Sequence, residues 1–152
     1  MIYIWDVDGT IADNSHRLHF IGADTTKDWD SFYKASADDK PIFETITVAR
    51  ALDKAGHTIL YSTGRSEDIR QITLDWLMKY RLPQAQHLML YMRKVGDHRE
   101  DCVVKSEILD HIFASYGAGL GGYGGVFEDR QQVVKMYRER GLRVFQVAEG
   151  NF

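Results

Sequence analysis

A single cysteine, Cys102, leaves no partner for an internal disulfide and removes any multi-cysteine metal site. No apolar run approaches the roughly 18 residues that a membrane span needs. The opening residues Met1-Ile2-Tyr3-Ile4-Trp5-Asp6 carry no charged n-region and soon meet a carboxylate, so they predict no signal peptide. Together these absences predict a cytoplasmic protein with no membrane partner. Excess positive charge is also missing. Nineteen Lys+Arg stand against 22 Asp+Glu, a formal net charge of −3 that excludes a globally basic nucleic-acid coat but leaves room for a local basic patch. No internal repeat or low-complexity linker occurs, and the six histidines show no ligand spacing beyond His16-x-x-His19, which lacks partners. What is present is a globular composition, 44% hydrophobic and 27% charged, in 152 residues. That length predicts one domain, residues 1–152, able to bury a core without staples.

The order of patterns predicts the fold class. Residues 2–6 read as a buried strand, 42–55 as a helix stopped by Gly56, and 57–61 as a second strand. Ser66 reads as the cap of a helix whose face is Ile69, Ile72, Trp76 and Tyr80. Residues 87–91 read as a third strand, Asp101 as the cap of a helix carrying Val104, Ile108 and Ile112, and 126–128 as a fourth strand. A helix over 130–140 and a last strand over 142–147 complete the series. Strands alternating with helices predict an α/β, three-layer Rossmann-like fold with a mostly parallel five-stranded sheet. Residues 12–41 break the rhythm and read as a small, mostly helical cap-like insert after the first strand, rich in aromatics and in acids such as Asp24, Asp28 and Asp39.

Gly117-x-Gly119-x-x-Gly122 matches the dinucleotide fingerprint by letter, but a helix precedes it and a strand follows. The fingerprint works only between a strand and a helix N-terminus, so this segment reads as a connection.

In an open parallel sheet, functional groups gather beyond the carboxyl ends of the strands. Three such ends carry polar clusters: Asp6-Val7-Asp8-Gly9-Thr10, Ser62-Thr63-Gly64-Arg65 and Glu128-Asp129-Arg130, with Lys105 opening a helix nearby. Each alone fits a turn, a cap or a solvated surface. Jointly, the carboxylates at 6, 8, 128 and 129 would converge on one edge and repel unless a cation sits among them. Oxygen ligands with no histidine or thiolate favour Mg²⁺ over zinc. Thr63, Gly64 and Lys105 would supply donors for an anion. With a carboxylate as the available nucleophile, the pattern points to phosphoryl transfer through an aspartyl phosphate.

Asp6-Val-Asp-Gly-Thr10, Thr63-Gly-Arg65, Lys105 and Glu128-Asp129, in this order, resemble the four motifs of the haloacid dehalogenase superfamily. Residues 92–108, 128–134 and 145–152 are similar to the 3′-phosphatase domain of phage polynucleotide kinase, although the kinase loop GxxxxGK[ST] occurs nowhere in the chain. The resemblance implies Asp6 as nucleophile, Asp8 as general acid and base, and Thr63 and Lys105 as phosphoryl binders. It implies Mg²⁺ held by Asp6, the Val7–Asp8 backbone carbonyl and Asp129, with Glu128 nearby. Arg17, Arg65, Arg93 and Arg130 stand where those phosphatases carry functional arginines and would, with Gly64, bind substrate. Glu128 departs from the expected Asp pair, and the 12–41 insert has no counterpart that its composition identifies.

The implied activity is removal of 3′-phosphates from polynucleotide ends, making a nucleic-acid end or a nucleotide the expected partner. Two alternatives stay open: a small-molecule phosphatase such as a nucleotidase, which the net charge of −3 favours, and a binding module that kept the fold without turnover. Trp76, Tyr80 and Tyr137 read as core, whereas Trp29, Phe32 and Tyr33 lie in the insert, where a cap could use an aromatic to hold a base.

Overall fold

The computed structural model describes residues 1–22 and 26–150; Asp24 and the last two residues fall outside that range. In chain order the elements are β1 (Ile2–Trp5), β2 (Ala12–Asp13), α1 (Trp29–Lys34), β3 (Lys40–Pro41) and α2 (Phe43–Lys54). There follow β4 (Thr58–Ser66), α3 (Arg70–Lys79), β5 (Leu90–Arg93), α4 (Asp101–Tyr116), β6 (Tyr123–Arg130), α5 (Gln131–Glu139) and β7 (Val144–Gly150). The five-stranded sheet has the order β5-β4-β1-β6-β7, and every neighbouring pair is parallel. This is the α/β, Rossmann-like architecture that the alternation predicts.

Side chains of a strand alternate between its faces, and here both faces are covered. Trp5, Ile59, Tyr61 and Phe127 pack on one side with Ile46 and Ala49 of α2 and Leu74, Trp76 and Leu77 of α3. Ile4, Leu60 and Val126 pack on the other with Val104, Ile108 and Ile112 of α4 and Val133 and Tyr137 of α5. Each fully buried Ile or Leu contributes about 1.5–3 kcal/mol relative to exposure. The same alternation aims the next residues. Asp6 follows Ile4 by two, and Glu128 follows Val126 by two, so both carboxylates turn toward α4.

Several boundaries differ from the sequence expectation. The fourth predicted strand begins at Tyr123, not Val126, taking in two glycines. Gly124 lies against the Tyr3 ring so closely that a Cβ would overlap it, so this glycine serves sheet packing and not a free connection. His87–Met89 is a 3-10 turn, which starts β5 at Leu90 and puts Arg93 at its tip. Ser66 makes no side-chain cap; Glu67–Ile69 is a 3-10 turn, and Glu67 instead accepts from Arg70 at 2.7 Å. Asp101 is the first residue of α4, not its cap. The glycine run after α4 leads into β6, the reverse of a dinucleotide cradle.

β2 and β3 pair antiparallel, Ala12 with Pro41 and Asp13 with Lys40, and so clamp the two ends of the segment between them. That segment holds 3-10 helix over Ser15–Ile21 and Ala35–Asp38 on either side of α1. Among the described residues no helix is long and apolar enough to cross a membrane.

Candidate active site

At the carboxyl edge of the sheet, the Asp6 amide donates to Phe127 O at 3.0 Å, continuing the β1–β6 ladder one residue beyond β1. The loop after it is tight: Val7 O accepts from the amides of Thr10, Ile11 and Ala12 at 3.3, 3.0 and 2.9 Å. Gly9 has φ +82°, and a Cβ there would overlap the Asp129 carboxylate. Glycine is required twice over, by the left-handed backbone and by the approach of Asp129.

Lys105, in the second turn of α4, donates to Asp6 Oδ1 at 2.6 Å and to Glu128 Oε2 at 2.8 Å. Thr10 Oγ1 donates to Asp6 Oδ2 at 3.1 Å. Carboxylate oxygens of Asp6, Glu128 and Asp129 lie within 4.8 Å of one another, all buried. Burial and the Glu128 charge push Asp6 up to about 8 against the opposing pull of Lys105. Burial likewise lifts Glu128 to about 7, again against Lys105. Asp129 rises to about 6 through burial and the Asp6 charge. The Lys105 ammonium is held well above its ordinary range because Asp6 and Glu128 outweigh the penalty of its own burial. One ammonium against the three carboxylates of Asp6, Glu128 and Asp129 leaves that cluster short of positive charge, and an all-oxygen donor set of this kind suits a hard divalent cation. The residues present therefore fit Mg²⁺.

The second half of the site is built from arginines. Arg17, fully buried, donates to Asp8 Oδ1 at 2.6 Å and to Asp39 at 2.7 and 2.8 Å. Arg65, equally buried, donates to Asp8 Oδ1 at 2.6 Å and to Asp39 Oδ2 at 2.7 Å. Burial alone would raise the Asp8 carboxyl, but the Arg65 and Arg17 charges outweigh it and hold Asp8 below the usual carboxylate range. Asp39 also accepts from the Trp76 indole through its carbonyl at 2.8 Å, and its Oδ1 lies 2.8 Å from His16 Nε2.

These placements sort the expected residues. Asp6, Asp8, Lys105, Glu128 and Asp129 converge on one cavity of about 580 Å³, which Gly64, Arg93 and Arg130 also line. Arg17 and Arg65 do not line it: their guanidinium groups lie behind the wall, committed to Asp8 and Asp39, so they are not placed to clamp substrate. Thr63 is buried, and its hydroxyl accepts from the Arg65 amide at 3.2 Å. Arg93 braces the loop before α4, donating to Gly64 O at 2.9 Å, Arg99 O at 2.7 Å and Asp101 Oδ1 at 3.0 Å. Arg130 lies 3.6 Å from Asp101 Oδ2. Glu128 Oε1 accepts from the Asp129 and Arg130 amides at 3.2 Å each, so the longer arm is folded back on its own backbone. The Asp39 hub escaped sequence reasoning, because within Asp38-Asp39-Lys40 it carries no mark separating it from a solvated turn. Asp101, read as a cap, faces Arg93, Lys105 and Arg130 instead.

A parallel sheet tipped by a carboxylate on its central strand, with a buried lysine and an acidic pair arriving from α4 and β6, places this chain among the haloacid dehalogenase-type phosphatases, hydrolases of phosphoric monoesters. Within that class it belongs to the family described as the polynucleotide kinase PNKP phosphatase domain, whose family model matches residues 1–152. A protein of Autographa californica nuclear polyhedrosis virus, whose name joins polynucleotide kinase to RNA ligase, is 27% identical over 135 residues, covering 88% of this chain and 17% of that protein. A chain in the Pnkp1/Rnl/Hen1 complex superposes with a TM-score of 0.75 at 28% identity, covering 99% of this chain and 46% of that one. The class C acid phosphatase of Bacillus anthracis, at 15% identity and a TM-score of 0.73 over 99% of this chain and 67% of that one, shares the fold. The chain thus spans less than half the length of the first two relatives.

Proposed function

We propose that residues 1–152 act as one unit, with the 12–41 insert as its cap, and that this unit is a Mg²⁺-dependent phosphomonoesterase removing 3′-phosphates from polynucleotide ends. The carrying observation is Asp6, held by Lys105 on one oxygen and Thr10 on the other, in a shared cavity with an Asp8 gripped by two arginines. The family match and a relative named for polynucleotide kinase and RNA ligase support a nucleic-acid end as substrate.

Asp6 attacks phosphorus with one carboxylate oxygen while the bond to the leaving oxygen breaks, and Asp8 delivers a proton to that oxygen. Asp8, now ionised, takes a proton from water, whose oxygen attacks the aspartyl phosphate and frees Asp6 and inorganic phosphate. In the free protein the arginines hold Asp8 ionised, so it first takes a proton from the incoming phosphate monoanion, passes it to the leaving oxygen, and is then the ionised base that the second half needs. Lys105 offsets the charge on Asp6 and, with the Gly64 backbone, binds the phosphoryl oxygens, while Thr63, buried outside the cavity lining, holds the Arg65 amide. Mg²⁺ would be held by Asp6, Asp129 and the Asp8 carbonyl, with Glu128 behind, and would neutralise the phosphoryl group. The Asp8 carbonyl is the one for this task because that of Val7 already accepts three amides.

A substrate panel tests the reading. Purified protein with Mg²⁺ should release phosphate from 3′-phosphorylated DNA or RNA oligonucleotides faster than from mononucleotides, and oligonucleotide binding should weaken with salt. Equal or faster turnover of mononucleotides would make it a nucleotidase. EDTA should abolish release in either case.

A further inference from the structure

The helical segment between β2 and β3 brings three aromatic rings to the cavity that holds Asp6. Trp29 and Tyr33 are 5.9 Å apart between centroids with 29° between their planes, and Phe32 meets Trp29 edge-on at 5.8 Å and 89°. Phe32 is buried, and the Arg17 guanidinium carbon lies 4.2 Å from its ring centroid while its nitrogens hold Asp8. The aromatic cluster is therefore anchored to the part of the site that positions Asp8. Filler of the apolar core does not explain Trp29: it belongs to neither core cluster of the sheet and is 39% exposed. Lys27 Nζ lies 5.7 Å from its ring centroid, and the same cavity is lined by Arg93 and Arg130, both beside Asp101, and by Arg99, paired with Asp97 and Glu107. Aromatic faces among cations are what a single-stranded nucleic acid binds, base on ring and backbone on charge.

We propose that Trp29 and Tyr33 form the shelf on which the base of the terminal nucleotide stacks while its phosphate lies at Asp6. This rests on the polynucleotide-end reading above and extends it to a subsite. A cavity of about 580 Å³ falls in the range of small-ligand sites and accommodates one nucleotide with its phosphate. Stacking is tolerant of base identity, so the shelf selects for the presence of a terminal base and not for its kind.

The test compares kcat/KM on 3′-phosphorylated oligonucleotides ending either in a normal nucleotide or in an abasic site, for wild type, Trp29→Ala and Trp29→Phe. The base-bearing end should be preferred by wild type. Trp29→Ala should lose about 5- to 150-fold on that end, the size of one base–aromatic stack, and change little on the abasic end. Trp29→Phe should recover most of the loss. Equal losses on both ends, no loss on either, or a wild type indifferent to the base would overturn the shelf while leaving the polynucleotide reading intact. A wild type that cleaves mononucleotides but neither oligonucleotide would instead remove the reading on which the shelf depends. Fluorescence supplies a readout free of turnover. Trp5 and Trp76 are buried, so quenching by a nucleoside 3′-monophosphate should come from Trp29 and vanish in Trp29→Ala; no quenching in wild type counts against the shelf.

Discussion

Asp6 and Asp8 stand two residues apart on one loop, yet the structure pushes their protons in opposite directions. Around Asp6 the acids outnumber the cation: Glu128 and Asp129 crowd it, Lys105 is the ammonium between them, and the carboxyl rises to about 8. Around Asp8 the balance is even, two guanidinium groups against Asp8 and Asp39, and the carboxyl falls below its ordinary value. One region is complete as it stands; the other needs added positive charge. The difference teaches which part of the site the chain supplies ready-made and which part awaits a cation. Breaking each region in turn should therefore give different signatures.

The largest effect belongs to the nucleophile. Asp6→Asn should lower phosphate release by at least about 10³-fold, since the amide cannot form the acyl phosphate. It also removes one negative charge from the overcrowded region. The metal-free melting temperature at pH 8 should accordingly equal or exceed that of wild type. Loss of turnover accompanied by loss of fold would contradict the charge surplus. Retained turnover would remove Asp6 from the mechanism.

Next in size is the arginine region. Asp39→Asn leaves two buried guanidinium groups facing the single carboxylate of Asp8, and breaking a buried pair of this kind costs about 3–5 kcal/mol. With both guanidinium groups left to Asp8 alone, its carboxyl should be held lower still and become a poorer proton donor. On an alkyl phosphate, whose leaving oxygen needs a proton, kcat/KM should fall about 10²-fold; on an aryl phosphate with a good leaving group the fall should be smaller. Urea denaturation measures the first quantity and paired substrates the second. The same fall on both substrates would mean that Asp39 only stabilises the fold.

The two regions were unequally legible in the sequence. The acidic one is visible because its members stand at strand tips: Asp6 after an apolar run, Glu128-Asp129 after Val126-Phe127, and Lys105 one turn into the helix that follows the third strand. Period-two alternation then carries Asp6 and Glu128 to the side of the sheet that α4 covers, where Lys105 meets them. The arginine region depends on the path of the irregular segment 14–39, which has no periodicity to read. Its members looked like surface ions or substrate clamps, although Arg17, Arg65 and Asp39 are among the most buried polar groups in the chain. Nothing local marks an arginine as buried; only the tertiary path that brings Asp39 beneath it does. Strand limits slipped for a similar reason, since the contact between Gly124 and Tyr3 joins residues far apart in the chain.

The smallest expected effect is also the most direct test of the charge surplus, because it needs no substrate. In the metal-free protein, Asp129, Glu128 and Asp6 have folded-state pKa values raised to about 6, 7 and 8, above their ordinary values of 3.8, 4.5 and 3.8. Groups raised in this way contribute stability that is fully present below the unfolded values and is lost as pH climbs through the folded ones. Asp8, lowered, has the opposite sign: its contribution is present above 3.8 and is lost only in stronger acid. Between pH 5 and 8.5 the slope therefore belongs to the acidic region. The metal-free melting temperature should fall across that window by an amount equivalent to about 1–3 kcal/mol, or roughly 3–10 °C for a chain of this size. Saturating Mg²⁺ binds the ionised carboxylates in the folded state alone and should flatten the slope, stabilising most at the alkaline end. Asp129→Asn should reduce both the slope and the response to Mg²⁺. A melting temperature indifferent to pH and to Mg²⁺ would show that Lys105 alone balances Asp6, Glu128 and Asp129, and the contrast between the two regions would collapse.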